Sequence, residues 1–546
     1  MGAQMTLRVL FVSDVSPLAV RSGAERVLRE QASRLAKLGH QVRVLSRSPE
    51  GGAREPVESE GVRIHHFPVD RRSLLRFVRD SILGARQAAA QALSDTDADV
   101  LQLHQPLSGV GVLSSPAATR IPSLYTFLSP APLEYRSRRA INASLLARWA
   151  GTPGTALLWV IEGICLRRAS RIHVLSEFSA TQLQKLYRIP SERIVKIPGG
   201  VDTERFRPAE DRDRVRKALG LPTRTVLLFT LRNLEPRMGL DALIRAMATL
   251  RQYAPEARLL IGGTGSLRQE LESLTASLGL RDQVSFLGFI PETELPLYYQ
   301  AADAFVLPSR ELEGFGLVTA EALACGTPVL GTRVGAIPEV LGGLGADLLF
   351  DRGDYEAIGR GIRNHLKRAL ADPEGYEALR RRCRDYAVSR FSWDQVARQL
   401  EQELLALAAD HRGSGMRMAR GGKEIDGDEL AEKSFGGEKG PDHGATREAL
   451  GLPDKSHPNI QEEEDDNDPS HVQLYPLGSF RPGPRDRRNL PPHSHSLRGD
   501  RGAGVSRVLD RAAALRGDPA APRVRPTGEA VTGERVAMEE REIRIL

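Results

Sequence analysis

Two glutamates, Glu313 and Glu321, are separated by the residues GFGLVTA. An apolar run at 304–307 precedes them, and the apolar residues after Gly316 have the composition of a helix start. This order predicts a strand, a loop and a helix, which is where open α/β sheets bind ligands. Gly314 and Gly316 allow backbone N–H groups to come close to a ligand. The first turn of the predicted helix offers unpaired N–H donors that suit a phosphate.

The combination of carboxylates with a phosphate site narrows the kind of ligand. A sugar nucleotide carries phosphates for the helix end and hydroxyls for the carboxylates, and each hydroxyl–carboxylate bond contributes about 1.5–3 kcal/mol. Two other interpretations stay open. Glu313 and Glu321 are also compatible with solvated charges near a helix N-terminus, where acidic residues are mildly favoured. A pair of carboxylates is also the catalytic apparatus of glycoside hydrolases.

Two arginines, Arg232 and Arg237, lie between a predicted strand at 225–230 and a predicted helix. Guanidinium groups match phosphate oxygens in geometry and charge. The arginines therefore predict a clamp for a diphosphate, with ordinary surface charges as the alternative interpretation.

A glycine-rich turn at 262–266 follows another apolar run, 259–261. The turn is not a Walker loop, because no Gly-Lys-Ser/Thr sequence follows it. Taken alone it is weak evidence, since glycine turns often only reverse the chain. Its position, again between a strand and a helix, makes Gly263 and Gly265 candidates for the same ligand site.

The composition limits the class of protein. The 546 residues give room for two or three domains, and 41% hydrophobic residues are enough for large cores. The only cysteines are Cys165, Cys325 and Cys383, whose wide spacing fits neither a disulfide scaffold nor a metal site and favours a reducing compartment. No apolar run reaches about 18 residues, and the run at 7–12 is too short for a signal peptide. We therefore expect a cytoplasmic protein.

The formal net charge of +6 suits anionic substrates or an acidic membrane surface. Residues 136–168 mix arginines with tryptophan and leucine, which is typical of an interfacial amphipathic helix. Glu162 opposes insertion, and ordinary core helices with solvated arginines are the alternative. One interpretation of this segment is therefore peripheral contact with the inner membrane face.

The first 200 residues alternate short apolar runs with longer amphipathic ones, which predicts βαβ units and a parallel sheet. Residues that follow the strands are then candidates for chemistry. A lone histidine in such a place is more often structural than functional. The strand-end candidates are Asp14, Gly23, His104, Leu128 and Ser176.

The same alternation starts again after about residue 207, so the fold class is α/β with two doubly wound domains. From 412 onward the chain is rich in Gly, Pro and charged residues and poor in aromatics, and such a segment cannot bury enough apolar area to offset its ordering entropy. The predicted divisions are an N-terminal domain at 1–207, a second domain at 208–390, a final helix at 391–411 and a disordered tail at 412–546.

The order of these motifs resembles glycosyltransferase family 4, whose members have the GT-B fold, over roughly residues 7–410. The resemblance is strongest in the second half of the chain. The motifs that carry it are Gly23-Ala24-Glu25-Arg26, Leu38-Gly39-His40, Pro198-Gly199-Gly200-Val201-Asp202, Arg232, Gly262-Gly263-Thr264-Gly265, Pro308-Ser309, the Glu313/Glu321 pair, Gly326-Thr327-Pro328-Val329 and Gly335-Ala336-Ile337-Pro338-Glu339.

The resemblance implies two Rossmann-like domains that face each other across a cleft. The N-terminal domain would bind the acceptor and the C-terminal domain the nucleotide sugar, and the final helix would cross back to the N-terminal domain. It implies retaining, metal-independent transfer of a hexose from a UDP- or GDP-sugar to a glycan or lipid-linked acceptor. No further cofactor and no nucleic acid would be involved.

Roles for single residues follow from the same resemblance. Glu313 would bind hydroxyls of the donor sugar, Glu321 the ribose, and Arg232 the diphosphate leaving group. Backbone N–H groups around Phe315, Gly316 and Leu317 would hold phosphates or sugar. Gly23 would lie near the phosphates and the acceptor.

Two positions depart from the family pattern. Met238 stands where the family usually has a lysine, and Arg237 is the residue that could supply the missing charge. Leu128 stands where the family normally has a histidine near the donor sugar, and leucine cannot hydrogen-bond a hydroxyl. His104 is the candidate for a partial substitute. A non-catalytic homologue that binds nucleotide sugars is the alternative that Leu128 favours.

Overall fold

The computed structural model describes residues 5–421, apart from residues 19 and 21, 49–54, 96 and 140–151. All of them fall within one compact structural unit, residues 1–425. Within this unit, the described residues form two β-sheets, each covered by helices. We call the two halves the first lobe and the second lobe.

The first lobe contains an eight-stranded sheet in the order β3-β4-β2-β1-β5-β6-β7-β8. All neighbouring strands are parallel except β3, which runs antiparallel to β4 at the edge. The strands are β1 (Arg8–Ser13), β2 (Gln41–Arg47), β3 (Val57–Ser59), β4 (Val62–Phe67), β5 (Val100–Leu103), β6 (Ser123–Phe127), β7 (Arg171–Val174) and β8 (Ile194–Lys196).

The helices of the first lobe follow the strands, as a parallel sheet requires. Ser22 begins the first helix by accepting a hydrogen bond from the Ala24 N–H, and Val27, Leu28 and Leu35 are buried on its inner face. The helices are α1 (Gly23–Lys37), α2 (Leu74–Asp95), α3 (Pro106–Leu113), α4 (Ala131–Arg139), α5 (Thr152–Arg168) and α6 (Glu177–Gln182).

The second lobe contains a five-stranded parallel sheet in the order β11-β10-β9-β12-β13. The strands are β9 (Leu227–Leu231), β10 (Arg258–Gly262), β11 (Val284–Gly288), β12 (Ala304–Leu307) and β13 (Val329–Gly331). The predicted strand at 225–230 is thus present as β9, two residues later at its start. The helices that surround this sheet are α7 (Arg212–Ala218), α8 (Leu240–Leu250), α9 (Arg268–Ser277), α10 (Leu295–Ala301), α11 (Leu317–Ala324), α12 (Ile337–Leu341), α13 (Tyr355–Ala371) and α14 (Pro373–Phe391).

The chain passes between the lobes at two places that lie side by side. The Val201 N–H donates to the Phe391 carbonyl at 2.6 Å, and the Trp393 N–H donates to the Val201 carbonyl at 3.1 Å. Trp393 is buried, and a Cβ on Gly200 would come within 2.3 Å of its ring. The glycine therefore lets the two crossings pack tightly.

The last described helix, α15 (Trp393–Gly421), lies against the first lobe. His40 Nε2 is 2.9 Å from Glu401 Oε1, and Arg171 Nη1 donates to Glu403 Oε1 at 2.5 Å. The helix continues ten residues beyond its predicted end at 411, so the predicted disordered tail begins too early. The rest of that predicted tail, 422–546, lies outside the described residues.

The segment predicted to contact a membrane, 136–168, forms the end of α4 and the whole of α5, and residues 140–151 lie outside the described residues. On α5, Leu157 and Val160 are exposed, whereas Leu158 and Ile161 are buried. Glu162, the residue that opposes membrane insertion, is buried in the lobe. Among the helices of the described chain, none combines the length and apolarity that a bilayer span requires.

Candidate active site

A cavity of about 360 Å³ lies between the lobes. The second lobe contributes the loops that follow β9, β10, β11 and β12, and the first lobe contributes the start of α1 and the residues that follow β6 and β7. Loops beyond the carboxyl ends of parallel strands therefore line both sides, which is the usual ligand position in this kind of sheet.

Arg232 and Glu313 form a buried ion pair at the centre of the second lobe's wall. Arg232 directly follows β9, and its Nη2 donates to Glu313 Oε2. The same nitrogen lies 2.9 Å from Ser309 Oγ and from Met238 Sδ, and the Ser309 hydroxyl donates to Glu313 at 2.8 Å. The pair is only 8% and 7% exposed, yet both residues line the cavity. A bound ligand would thus meet two opposite charges held in a fixed geometry.

The charge of Glu313 is stabilised by its surroundings. Burial alone would raise the pKa of this carboxyl, but the positive charge of Arg232 and the bonds from Ser309 and Arg232 outweigh burial and lower the pKa. The carboxyl is therefore ionised at neutral pH and acts as an acceptor for hydroxyl groups rather than as an acid.

Gly263 is required by the backbone of this wall. Its φ is +111°, and a Cβ there would lie 2.0 Å from the Arg232 carbonyl oxygen. Only glycine lets the loop after β10 lie against the loop after β9 in this way. The role predicted for Gly263 in the ligand site is thus accompanied by a role in placing Arg232.

Arg237 lies in a short 3₁₀ turn, Pro236–Met238, between β9 and α8. Its Nη1 donates to the Leu312 carbonyl at 3.2 Å, and its Nη2 lies 3.5 Å from Glu134 Oε1 of the first lobe. Leu312 has a φ of +55°, a left-handed conformation that non-glycine residues rarely adopt. The arginine thus supports a strained residue directly before Glu313.

Glu321 lies on α11 and is 1% exposed. The Tyr299 hydroxyl donates to its Oε2 at 2.8 Å, and Arg26 of the first lobe donates to its Oε1. Burial raises the pKa of Tyr299 well above its usual value, so the hydroxyl stays protonated and remains a donor. Glu321 is therefore a buried carboxylate with one donor on each oxygen.

The loop between β12 and α11 is held by the first lobe as well. The Ser176 hydroxyl donates to the Gly314 carbonyl at 2.6 Å, and a Cβ on Gly314 would lie 2.4 Å from the carbonyl oxygen of Leu128. The sequence interpretation gave Gly314 to ligand approach, whereas the structure shows that it gives room to the protein's own backbone. Leu128 itself lines the cavity.

The helix that follows this loop, α11, begins at Gly316, which has a φ of +76° and no side-chain cap. Its first N–H groups come from Leu317 and Val318, which line the cavity together with Phe315. Gly23 lies opposite, where a Cβ would be 3.6 Å from Leu317 Cδ1. An anion in the cavity would meet this uncapped helix end.

Four residues predicted for the site do not line the cavity. His104 is 2% exposed, neither ring nitrogen has a hydrogen-bond partner among the described residues, and burial lowers its pKa to about 3. It packs against the Phe11 ring at 5.7 Å as a neutral core residue. Gly265 lies behind the wall, where a Cβ would come within 2.5 Å of the Leu234 carbonyl. Asp14 and Ser176, two further strand-end candidates, do not line the cavity either, whereas the remaining predicted site residues do.

Several cavity residues were not predicted as site residues. They are Arg26, Glu134, Asn233, Thr264, Phe289 and Glu292. Two of them, Arg26 and Thr264, belong to motifs quoted in the sequence analysis but received no role of their own, and the others lie on neighbouring loops or on a helix of the first lobe.

The arrangement suits transfer chemistry better than glycoside hydrolysis. A hydrolase needs two carboxyl groups flanking the bond, whereas here Arg232 neutralises Glu313 directly and Arg26 pairs with Glu321. A cavity with arginines and an uncapped helix end can stabilise negative charge on a diphosphate. Within the described part of the chain, no group of three His, Cys, Asp or Glu side chains is placed to hold a metal ion.

Each lobe matches a known family model. Residues 21–205 match the family model described as Glycosyltransferase Family 4, and residues 211–390 match the model described as Glycosyl transferases group 1. The two matches meet between β8 and α7, where the chain passes from one sheet to the other.

Curated relatives agree with these matches. The D-inositol 3-phosphate glycosyltransferase of Saccharomonospora viridis is 30% identical over 415 residues, which cover 73% of this chain and 92% of that protein. The GDP-mannose-dependent α-(1-6)-phosphatidylinositol monomannoside mannosyltransferase of Mycolicibacterium smegmatis is 32% identical over 308 residues, which cover 54% of this chain and 77% of that protein.

Solved structures share the fold. Sucrose-phosphate synthase from Thermosynechococcus elongatus superposes with a TM-score of 0.62 at 23% identity, covering 74% of this chain and all of that chain. Anabaena HepE, solved with UDP and glucose, superposes with a TM-score of 0.57 at 19% identity over 73% of this chain and all of that chain.

The two Rossmann-like lobes and the cavity between them define a GT-B glycosyltransferase. The chain belongs to glycosyltransferase family 4.

Proposed function

We propose that this glycosyltransferase moves a hexose from a UDP- or GDP-sugar to a glycan or lipid-linked acceptor with retention of anomeric configuration and without a metal ion. The observation that carries the proposal is the buried Arg232–Glu313 pair on the wall of the cavity between the lobes. The second lobe would hold the donor and the first lobe the acceptor, with the division between them near residue 207.

The bond that breaks joins the anomeric carbon to a diphosphate oxygen, and the departing diphosphate keeps both electrons. An acceptor hydroxyl forms the new bond to the anomeric carbon on the same face and loses its proton, which the departing phosphate oxygen can accept. Arg232 and Arg237 stabilise the growing negative charge, as do the first N–H groups of α11. Fixed positive charges of this kind can do the work that a metal ion does elsewhere.

The carboxylates orient the two ends of the donor. Glu313, kept ionised by Arg232, accepts hydrogen bonds from hydroxyls of the transferred sugar. Glu321 accepts from the ribose. The backbone at 315–317 brings N–H groups to the phosphates, whereas the Gly263 N–H donates to the Gly288 carbonyl at 2.7 Å. Met238, at the usual lysine position, packs on Arg232 instead of adding a charge.

The relatives support the range of donors and acceptors. The name of the mycobacterial enzyme gives GDP-mannose as donor and a phosphatidylinositol mannoside as acceptor. Anabaena HepE was solved with UDP and glucose. Both nucleotides therefore belong in the test, together with carbohydrate and lipid-linked acceptors.

We also propose that the first lobe contacts an acidic membrane surface from the inner face through 136–168. The support is the exposure of Leu157 and Val160 on α5 together with the arginines at its end. Co-sedimentation with vesicles of anionic phospholipid is expected and should weaken in high salt. Equal sedimentation with neutral and anionic vesicles would contradict the electrostatic part of this proposal.

The first experiment is nucleotide release by the purified protein across UDP- and GDP-sugars, with Leu128→His measured beside the wild type. Slow hydrolysis of one donor by the wild type is expected, because the charged residues of the donor side are in place. Such a result would establish the donor.

The variant separates the two interpretations of Leu128. If only Leu128→His releases nucleotide, the natural chain binds donors without turning them over. Arg310→Ala is the matched control, since Arg310 pairs with Asp241 on the partly exposed side of the same loop and does not line the cavity.

A further inference from the structure

Arg26 connects the first lobe to the carboxylate that we assign to the ribose. It lies on the first turn of α1, and its Nη1 donates to Glu321 Oε1 across 295 positions of the chain. Its Nη2 donates to Glu292 Oε1 at 2.5 Å, and Arg205 approaches the other oxygen of Glu292 at 3.3 Å. Glu292 thus fixes the orientation of the Arg26 guanidinium, which also bonds to Glu321.

The geometry leaves room on Glu321 for a ligand. An ionised carboxylate offers about four lone-pair sites on its two oxygens. Arg26 occupies one on Oε1 and Tyr299 one on Oε2. One site remains on each oxygen, which matches the two neighbouring hydroxyls of a ribose. Arg26 and a nucleotide can therefore bind Glu321 at the same time.

Burial explains why a second donor is needed there. A carboxylate that is 1% exposed must be compensated by charge or hydrogen bonds. Tyr299 supplies one neutral donor, and Arg26 supplies the positive charge. The Nε of Arg26 is itself buried and has no hydrogen-bond partner among the described residues, although the residue lines the cavity.

We propose that Arg26 is a positioning residue of the nucleotide site, through which the first lobe orients Glu321 toward the ribose hydroxyls. The proposal rests on the assignment of Glu321 to the ribose. It means that the donor site is complete only when both lobes contribute to it. An acceptor-side helix then takes part in recognising the nucleotide.

The test is the preference of the full chain for a ribose. Calorimetry would measure binding of UDP and GDP and of their 2′,3′-dideoxy counterparts. We expect the wild type to prefer the ribonucleotide at least tenfold, because the dideoxy forms lose both bonds to Glu321. In Arg26→Ala the preference should fall to about threefold or less. Since the ratio compares two ligands on one protein, loss of folded material cancels.

Arg29→Ala is the matched control. Arg29 lies on the same helix and is 3.7 Å from Glu292, but it has no bond to Glu321. It should keep the wild-type preference, and Arg26→Lys should restore part of it. If Arg26→Ala keeps the wild-type preference, or Arg29→Ala loses it equally, the positioning role is wrong.

Glu321→Ala distinguishes this failure from failure of the proposed function. If Glu321→Ala abolishes the preference for the ribonucleotide while Arg26→Ala does not, the assignment of Glu321 to the ribose is supported and only the role of Arg26 is wrong. If the wild type shows no preference, or Glu321→Ala keeps it, the assignment of the ribose is wrong and the role of Arg26 falls with it.

Discussion

Polar residues follow the strands in both lobes, but the two lobes use them differently. In the second lobe Arg232 and Glu313 lie on the cavity wall with their charged groups together. In the first lobe Asp14, His104 and Ser176 serve the fold. The same position in a parallel sheet can thus carry either chemistry or structure, and the surrounding contacts decide which.

Asp14 shows the structural use most clearly. Its carboxylate accepts from the Leu107 and Ser108 N–H groups at 3.2 and 2.9 Å, so it caps the start of α3. The guanidinium of Arg47 lies 3.8 Å away, and both side chains are buried. Asp14 is therefore committed to helix α3 and Arg47, and it is not among the residues that line the cavity.

The two walls of the cavity present different kinds of groups. The wall of the second lobe presents charges and free N–H groups, which suit a diphosphate. The wall of the first lobe presents small or apolar residues such as Gly23 and Leu128. The charged residues that it contributes, Arg26 and Glu134, form ion pairs with residues of the second lobe.

The largest effect is expected from Arg232→Ala. The substitution removes the fixed positive charge from the diphosphate and leaves Glu313 buried without its partner. Loss of one such stabilising group typically costs about 2.7–4 kcal/mol in the barrier, so kcat/KM for the donor should fall about hundredfold or more. Steady-state kinetics with the donor found in the panel would measure it.

Arg310→Ala serves again as the control and should stay within about twofold, since its pair with Asp241 is a surface pair. Unchanged kinetics in Arg232→Ala would remove this residue from the proposed mechanism. The charged residues of the second lobe would then have no demonstrated part in catalysis.

A smaller effect, on stability rather than on catalysis, is expected from Asp14→Ala. The substitution uncaps α3 and leaves the buried Arg47 without its carboxylate, so the free energy of unfolding should drop by about 3 kcal/mol. Affinity for the nucleotide should change less than about twofold, because Asp14 does not line the cavity. Chemical denaturation and calorimetry would measure the two quantities on the same sample.

The outcome that would contradict this expectation is a stable Asp14→Ala protein with weakened nucleotide binding. Such a result would give the first lobe a charged residue in the site. Asp14→Asn, which keeps one acceptor for the helix end, should lie between the alanine variant and the wild type in stability.

The smallest effect is expected from Glu162→Gln and depends on pH. Glu162 is buried beneath α4, where it accepts from the Tyr187 hydroxyl and from the Ala131 N–H. Burial raises its pKa from 4.5 to about 8. The unfolded chain therefore loses this proton above pH 4.5 while the folded protein keeps it, and stability falls as pH rises between these values. Glutamine cannot ionise, so this part of the slope should vanish.

The difference in the free energy of unfolding between Glu162→Gln and the wild type should thus grow by about 2 kcal/mol from pH 5 to pH 6.5. Melting temperatures across this range would measure it. Glu272→Gln is the control, because Glu272 pairs with Arg268 on the surface. A difference that does not change with pH would show that Glu162 is ionised in the folded protein throughout.

Local patterns in the sequence were sufficient for much of the fold and of the donor side. The alternation of apolar and amphipathic runs predicted a parallel sheet in each lobe, although not the edge strand β3. The spacing of Glu313 and Glu321 predicted the loop and helix that hold them. These features depend on neighbours within a few positions. Strand and helix ends were less accurate, as the start of β9 and the end of α15 show, because the pattern fades where an element ends.

The sequence did not separate functional from structural polar residues in the first lobe. His104 and Asp14 had the right position after a strand, and only their surroundings show that one is a neutral core residue and the other a helix cap. Gly265 had the right motif but lies behind the wall. Burial and partners depend on residues far away in the chain.

The sequence by itself determined the two α/β lobes and the charged groups of the donor side, because periodicity, glycines and strand-end positions are local properties. Only the tertiary structure decided which groups meet across the cavity. Arg26 reaches Glu321, Glu134 reaches Arg237, and Ser176 holds the loop at Gly314. These contacts join residues more than a hundred positions apart, and no local pattern encodes them, since they depend on how one folded lobe docks on the other.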